Sequence, residues 1–173
     1  MLSPHTIRLA FTLADESFAP ALVELRAATA RDLTARFGRG HWSGEPTERG
    51  VLAGMRDSKV WLARKGKDVV ATFRMSTTKP WAIDKAYFAK SSHHPLYLTD
   101  MAVRPALQGK GIGRRCLDKA VEYAAVWPAD AIRLDAYDAE AGAGEFYAKC
   151  GFREVGRVAY RGVPLTYYER LIP

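Results

Sequence analysis

The order of elements in this sequence predicts an α/β or α+β fold, a mixed sheet with helices on both faces. Three observations carry that prediction. β-rich runs and amphipathic stretches follow one another as βααββ–β–α–β–α–ββ. A strand–helix–strand unit sits inside that order. The chain has 173 residues, 48% of them hydrophobic and 11% aromatic, which is enough to bury a core and excludes a disordered polymer. Without repeats, low-complexity tracts or a linker, the expectation is one domain over residues 1–173.

Residues 6–11 alternate weakly and read as the first strand. Asp15 can cap a helix that runs to about Phe37, with Leu22, Leu25, Thr29 and Leu33 on one face. A glycine-rich loop with His41 and Trp42 follows, and Pro46 and Thr47 open a shorter helix to about Asp57. Residues 60–63 and 69–75 are β-rich and flank Lys65-Gly66-Lys67-Asp68, a hairpin signal. The connection over residues 78–95 carries Trp81, Tyr87, Phe88, His93 and His94, and that length is uncommon without a function.

Residues 96–103 and 131–136 read as strands. Between them Ile112, Cys116, Leu117, Ala120, Val121 and Ala124 share one helical face, and Pro128 ends the helix. Residues 142–149 form a short helix stopped by Gly151. Residues 152–160 and 164–171 close the chain as two strands that turn at Arg161-Gly162.

The net charge is +7. Residues 1–90 hold 15 basic and 9 acidic side chains, and residues 91–173 hold 11 and 10. The excess is dispersed, without blocks of five like charges, so it reads as a solvated surface and no nucleic-acid partner is expected. If it lines an acceptor cleft, it disfavours a polyamine. No apolar run approaches the ~20 residues of a membrane span, and the opening residues lack the layout of a secretory leader. Cys116 and Cys150 lie among apolar residues and read as buried thiols. A cytoplasmic chain with no membrane partner is the resulting expectation.

The most informative segment runs from Arg104 to Arg115. Gly109, Gly111 and Gly113 fall within five residues, after a strand and at the opening of an amphipathic helix. Glycines let backbone N–H groups approach a ligand, and the helix start adds partial positive charge. Arg104, Lys110, Arg114 and Arg115 add four cations with no acidic residue between them. The combination suits a pyrophosphate. Neither the P-loop spacing nor the dinucleotide fingerprint is met.

Gln108-x-x-Gly111-x-Gly113, after a strand ending Val103-Arg104-Pro105, resembles the Gln/Arg-x-x-Gly-x-Gly/Ala signature of the GNAT family of N-acetyltransferases. Glu145 to Phe152 resembles that family's second motif, Tyr-x-Lys-x-Gly-Phe, at the distance one helix plus one strand requires. The resemblance covers about residues 96–158; the first half agrees only in element order. It implies the acyl-CoA N-acyltransferase fold, a central mixed, mostly antiparallel sheet of about seven strands flanked by about four helices. It implies acetyl-CoA as co-substrate, a primary amine of a small molecule or peptide as acceptor, and a monomer or homodimer. The pantetheine arm would lie where the strand ending at Val103 splays from the next parallel strand. Backbone groups of Met101 and Val103 would bond to it. N–H groups of Gln108, Gly109, Lys110, Gly111, Ile112, Gly113 and Arg114 would hold the pyrophosphate.

The same resemblance makes Tyr147 the general acid. A thiol has a pKa of about 8.5 and a phenol about 10, so a positioned Tyr hydroxyl can protonate the departing sulfur. Phe146 and Phe152 read as core, and Lys149 as a cation at a helix end. One departure stands out: the family's Asn before this helix is missing, and Asp138 either replaces it at the cofactor or caps the helix.

An ammonium acceptor must lose a proton before it attacks. Asp100 is the nearest carboxylate by sequence, and it either pairs structurally with an arginine or faces the cleft; Glu140 and a water chain are the alternatives. His93 and His94, with no third ligand in view, read as a solvated loop, so no metal is expected. The aromatics His41, Trp42, Trp81, Tyr87 and Phe88 are either an acceptor pocket or core. A non-catalytic acyl-CoA sensor on the same fold is the alternative function.

Overall fold

The computed structural model describes residues 7–173. The Thr6 end of the expected first strand and most of the stretch read for a leader lie outside the described residues. The elements are β1 (Ala10–Leu13), α1 (Ala19–Phe37), α2 (Glu48–Arg56), β2 (Lys59–Lys65), β3 (Asp68–Ser76) and β4 (Pro95–Val103), then α3 (Ile112–Val126), β5 (Ala131–Tyr137), α4 (Gly144–Lys149), β6 (Arg153–Tyr160) and β7 (Val163–Leu171). This is the expected order. Among the described residues the strands make one mixed seven-stranded sheet, β1-β2-β3-β4-β5-β7-β6. β4 and β5 pair in parallel from Pro95↔Ala131 to Tyr97↔Arg133, with α3 in the crossover between them. β1 with β2, β5 with β7 and β6 with β7 pair antiparallel.

The chain divides into two compact units. One comprises the described part of Met1–Arg74 together with Asp100–Cys116; the other comprises Met75–Thr99 and Leu117–Pro173.

In the first unit, Leu22 and Leu25 of α1 are fully buried against Val51 of α2, Val60 and Leu62 of β2 and Val69 of β3. Each such leucine contributes roughly 1.5–3 kcal/mol through burial. Asp15 acts one turn earlier than expected. It accepts from the Ser17 N–H and opens a 3-10 turn over Glu16–Phe18. α1 then starts at Ala19, where Pro20 needs no N–H partner. β1 also sits later than its own alternation suggested, because its register from Ala10↔Arg64 to Leu13↔Trp61 sets its bounds. Thr47 caps α2, accepting from the Gly50 N–H at 3.1 Å.

In the second unit, β7 lies between β5 and β6. The β6–β7 turn places Arg161 (φ 50°) and Gly162 (φ 79°) in the left-handed region, as a two-residue hairpin loop demands. The long connection before β4 is pinned rather than loose. Ile83 and Phe88 are buried with Tyr97 and Tyr167. The Tyr167 hydroxyl accepts from the Asp84 N–H at 3.1 Å and donates to the Ala82 carbonyl. Asp130 accepts from the Ser92 hydroxyl and from the His93 and His94 N–H groups.

These contacts sort the aromatics. Phe88 is core. Tyr87 packs edge-on against Tyr167 and lies over Gly156, where a Cβ would collide with its ring. Trp81 is 90% exposed. Trp42 folds back on its own loop, donating from Nε1 to the Gly38 carbonyl at 3.1 Å, and its ring covers Gly40.

Candidate active site

The glycine segment follows β4 directly. The Arg104 N–H donates to the Val70 carbonyl at 2.8 Å, a 3-10 turn spans Pro105–Leu107, and α3 begins at Ile112. Gln108 spends its side chain on bracing: Nε2 donates to the Val103 carbonyl at 3.1 Å. Gly109 (φ 74°) and Gly111 (φ 78°) both adopt the left-handed conformation, and open space lies where their Cβ atoms would be. Gln108, Gly109, Lys110, Gly111 and Arg114 are exposed; Ile112 is buried and Gly113 half-buried. The first-turn N–H groups of a 15-residue helix thus open beside an exposed glycine turn with Lys110 and Arg114 on it. That donor set can receive a pyrophosphate.

Two of the four expected cations have other work. Arg104 makes a two-pronged bond to Glu24 of α1 at 3.1 and 2.8 Å and donates to the Val69 carbonyl at 3.1 Å. This bond holds the Glu24 carboxyl below its usual range. Arg104 is therefore an anchor between β3, β4 and α1. Arg115 donates to the Ile7 carbonyl.

Asp100 lies in the same unit, within β4, at φ 51°. Aspartate tolerates that left-handed backbone better than bulkier residues do. Its Oδ2 faces Arg74 Nη1 of β3 at 3.3 Å and Arg26 Nη2 of α1 at 3.7 Å, and its side chain is 40% exposed. Of the two sequence alternatives, pairing with arginine holds, and the carboxylate also keeps access to solvent. Burial pushes the Arg26 guanidinium below its usual range; Asp100 opposes the shift and Arg74 reinforces it. Arg26 Nε is buried without a hydrogen-bond partner among the described residues. Met101 and Val103 follow, both half-buried. Sequence reasoning missed Arg26 and Arg74 as members of this cluster. The one available signal was Arg26 directly after Leu25 of the apolar face of α1.

Tyr147 and Asp138 belong to the second unit. Tyr147 sits in α4 at 8% exposure, ringed by Phe146, Phe152 and Tyr168 at centroid distances of 5.3–6.1 Å. Burial, reinforced by Asp135 and Cys150, pushes its hydroxyl well above the ordinary phenol range, so it stays protonated at neutral pH. Phe152 is core as expected, whereas Phe146 is only half-buried. Lys149 pairs with Glu145 at 2.8 Å.

Asp138 does not cap the helix. α4 starts six residues later, after Ala143, with no side-chain cap. Asp138 instead faces Arg157 of β6 at 3.5 Å. The intervening loop turns back so tightly that a Cβ on Gly142 would collide with the Tyr137 carbonyl. Glu140 on that loop is exposed. Cys116 and Cys150 are buried, unbridged thiols, and burial pushes Cys116 up to about 12. Among the described residues no group of three His, Cys, Asp or Glu side chains is placed to hold a metal ion. No helix there is long and apolar enough to cross a membrane.

A family model of acetyltransferases spans residues 25–152, most of the chain and both sequence motifs. The chain belongs to the acetyltransferase (GNAT) family. No curated protein matches it. Solved structures match over nearly the whole length at low identity, which shows a shared GNAT fold. A GNAT acetyltransferase from Listeria monocytogenes 4b F2365 is 17% identical, with 98% of each chain covered and a TM-score of 0.76. The ribosomal-protein-S18-alanine N-acetyltransferase from Escherichia coli is 13% identical, with 95% of this chain and 94% of that one covered and a TM-score of 0.68. An acetyltransferase structure from Salmonella typhimurium, determined with its cofactor acetyl-CoA, is 16% identical over the same shares, with a TM-score of 0.66.

Proposed function

We propose that residues 1–173 work as one acetyl-CoA-dependent N-acetyltransferase, which moves the acetyl group to a primary amine of a small molecule or peptide by direct attack in a ternary complex. The observation that carries this reading is the exposed glycine turn at the open end of α3, in a chain of the GNAT family. Acetyl-CoA supplies the activated thioester. N–H groups of Gln108, Gly109, Lys110, Gly111, Ile112, Gly113 and Arg114 bind its pyrophosphate, and backbone groups of Met101 and Val103 hold the pantetheine. Asp138 stands where the family has an Asn and, since it does not cap α4, is the remaining cofactor contact.

Asp100 receives the acceptor's ammonium group and takes its proton. Its solvent access supports that role, since a proton taken there can leave to water. Tyr147 holds the proton that passes to the sulfur as the carbon–sulfur bond breaks. Its place on α4 in the family's second motif supports this, and its hydroxyl carries the proton at neutral pH.

The test has two arms. Acetyl-CoA at 100 times its dissociation constant should stabilise the fold by about 2.7 kcal/mol, read as a rise in melting temperature. Amine-dependent release of free thiol should then fall about 10²–10⁴-fold in Tyr147→Phe while acetyl-CoA affinity holds. Cofactor binding without amine-dependent thiol release would identify an acyl-CoA sensor instead. Full turnover in Tyr147→Phe would remove that residue from the reaction.

A further inference from the structure

The cluster around Asp100 points to the chemistry of the acceptor. Three elements deliver it: Arg26 from α1, Arg74 from β3 and Asp100 from β4. Its contacts are loose. At 3.3 and 3.7 Å, both ion pairs are longer than the ~2.7–2.9 Å of a closed charged hydrogen bond. Both guanidiniums address the same oxygen, Oδ2. Arg26 also carries a buried Nε donor without a hydrogen-bond partner among the described residues. Burial lowers the proton affinity of that guanidinium, and Asp100 does not fully offset it.

Gly54 makes room for Arg74. Its Nη1 occupies the place where a Cβ on Gly54 of α2 would stand. The bare backbone at Gly54 leaves room for this guanidinium beside Asp100, and its planar fork suits recognition of a carboxylate. Along the chain, Asp100 directly precedes Met101, and the glycine turn lies beyond Val103. With the pyrophosphate on that turn and the pantetheine along Val103 and Met101, the thioester end falls toward Asp100.

We propose that Arg26, Arg74 and Asp100 form a receptor for a zwitterion, and that the acceptor is a free amino acid. Its carboxylate binds the two guanidiniums and its ammonium binds Asp100. The two charges of an amino acid lie only a few bonds apart, and the cluster offers both complementary signs within 4 Å. This inference rests on the N-acetyltransferase reading.

The experiment compares matched pairs of acceptors on the full chain with acetyl-CoA: L-amino acids against their carboxamides, with spermidine as a third arm. The expected result is a kcat/KM at least 10-fold higher for some amino acids than for their amides. Arg26→Gln should reduce that ratio at least 10-fold, chiefly through the KM of the amino acid. Gly54→Ala keeps every charge but displaces the Arg74 guanidinium, and should lower the ratio in the same direction. It also serves where Arg26→Gln fails to fold. Amides or spermidine used as well as amino acids, or a ratio unchanged in both variants, would overturn the receptor and leave the acetyltransferase standing. Acetyl-CoA binding with no amino acid acetylated also overturns it. A chain that shows no melting shift with acetyl-CoA loses the underlying reading, and the receptor with it.

Discussion

Arg133 and Glu169 meet at 2.8 Å with side chains 5% and 1% exposed, whereas Asp100 meets its two arginines at 3.3 and 3.7 Å and stays 40% exposed. Each cluster joins guanidinium to carboxylate, and each lies in a different compact unit. In the first, Glu169 also accepts from the Ala89 N–H, and Arg133 also donates to the Ala89 carbonyl and stacks over Phe88. The pair clamps the long connection to β5 and β7. In the second, the carboxylate sits on left-handed backbone and one guanidinium has a buried donor without a partner among the described residues. Closure marks the cluster that holds the fold; the open one is the proposed receptor.

The sharpest way to break this contrast is to remove each carboxylate in turn. Glu169→Ala leaves Arg133 buried and uncompensated, and should cost about 3–5 kcal/mol. For a chain of this size that is a fall in melting temperature of roughly 6–20 °C. Rates per folded molecule should hold at low temperature. A variant that melts near the wild type would show that the pair is less closed than its geometry says. Asp100→Asn should do the reverse. Its partly exposed ion pairs contribute about 1 kcal/mol or less, so melting should move by only a few degrees. Thiol release should fall roughly 10²-fold. A large loss of stability with normal turnover would make Asp100 architectural like Glu169.

Neither cluster is legible in the sequence as a cluster, and of their members only Asp100 stands out there. Element order and both motifs could be read because periodicity and glycine placement are local properties of the chain. The signature glycines, for instance, needed only their own positions, and Gly109 and Gly111 do adopt left-handed backbone. The pairing of Arg104 is hidden for the opposite reason. Its partner Glu24 lies 80 residues away, and only the packing of α1 reveals it. Phe88 and Tyr87 were ambiguous until Tyr167 and Gly156 were seen beneath them. Arg26 and Arg74 carry no motif, since a cluster drawn from three elements has no spacing to recognise.

A smaller effect separates shape from chemistry at the glycine turn. Gly109→Ala meets no neighbour, so its cost is backbone strain alone, roughly 1–2 kcal/mol. The variant should lose that much stability in a denaturant titration and bind acetyl-CoA more weakly. Unchanged affinity would mean that the turn's conformation is not what the cofactor needs.

The smallest predicted effect tests closure without a guanidinium. Asp130, in the unit of Glu169, is held by the Ser92 hydroxyl and two backbone N–H groups at 2.6–3.0 Å. Burial alone would raise its carboxyl, but the bonds from Ser92, His94 and His93 outweigh it, and the net direction is downward. The folded chain therefore keeps this carboxylate ionised at a lower pH than the unfolded chain, where an aspartate titrates near 3.9. Its contribution is complete above that unfolded value and is lost as pH falls through the folded one. Asp130→Asn should thus be less stable than wild type by about 1 kcal/mol at pH 7, and the difference should shrink as pH falls below about 4. Chemical denaturation of both proteins across that range reads it directly. A gap that stayed constant down to pH 2 would show that the amide fails by shape and not by charge, and that closure at this loop is steric.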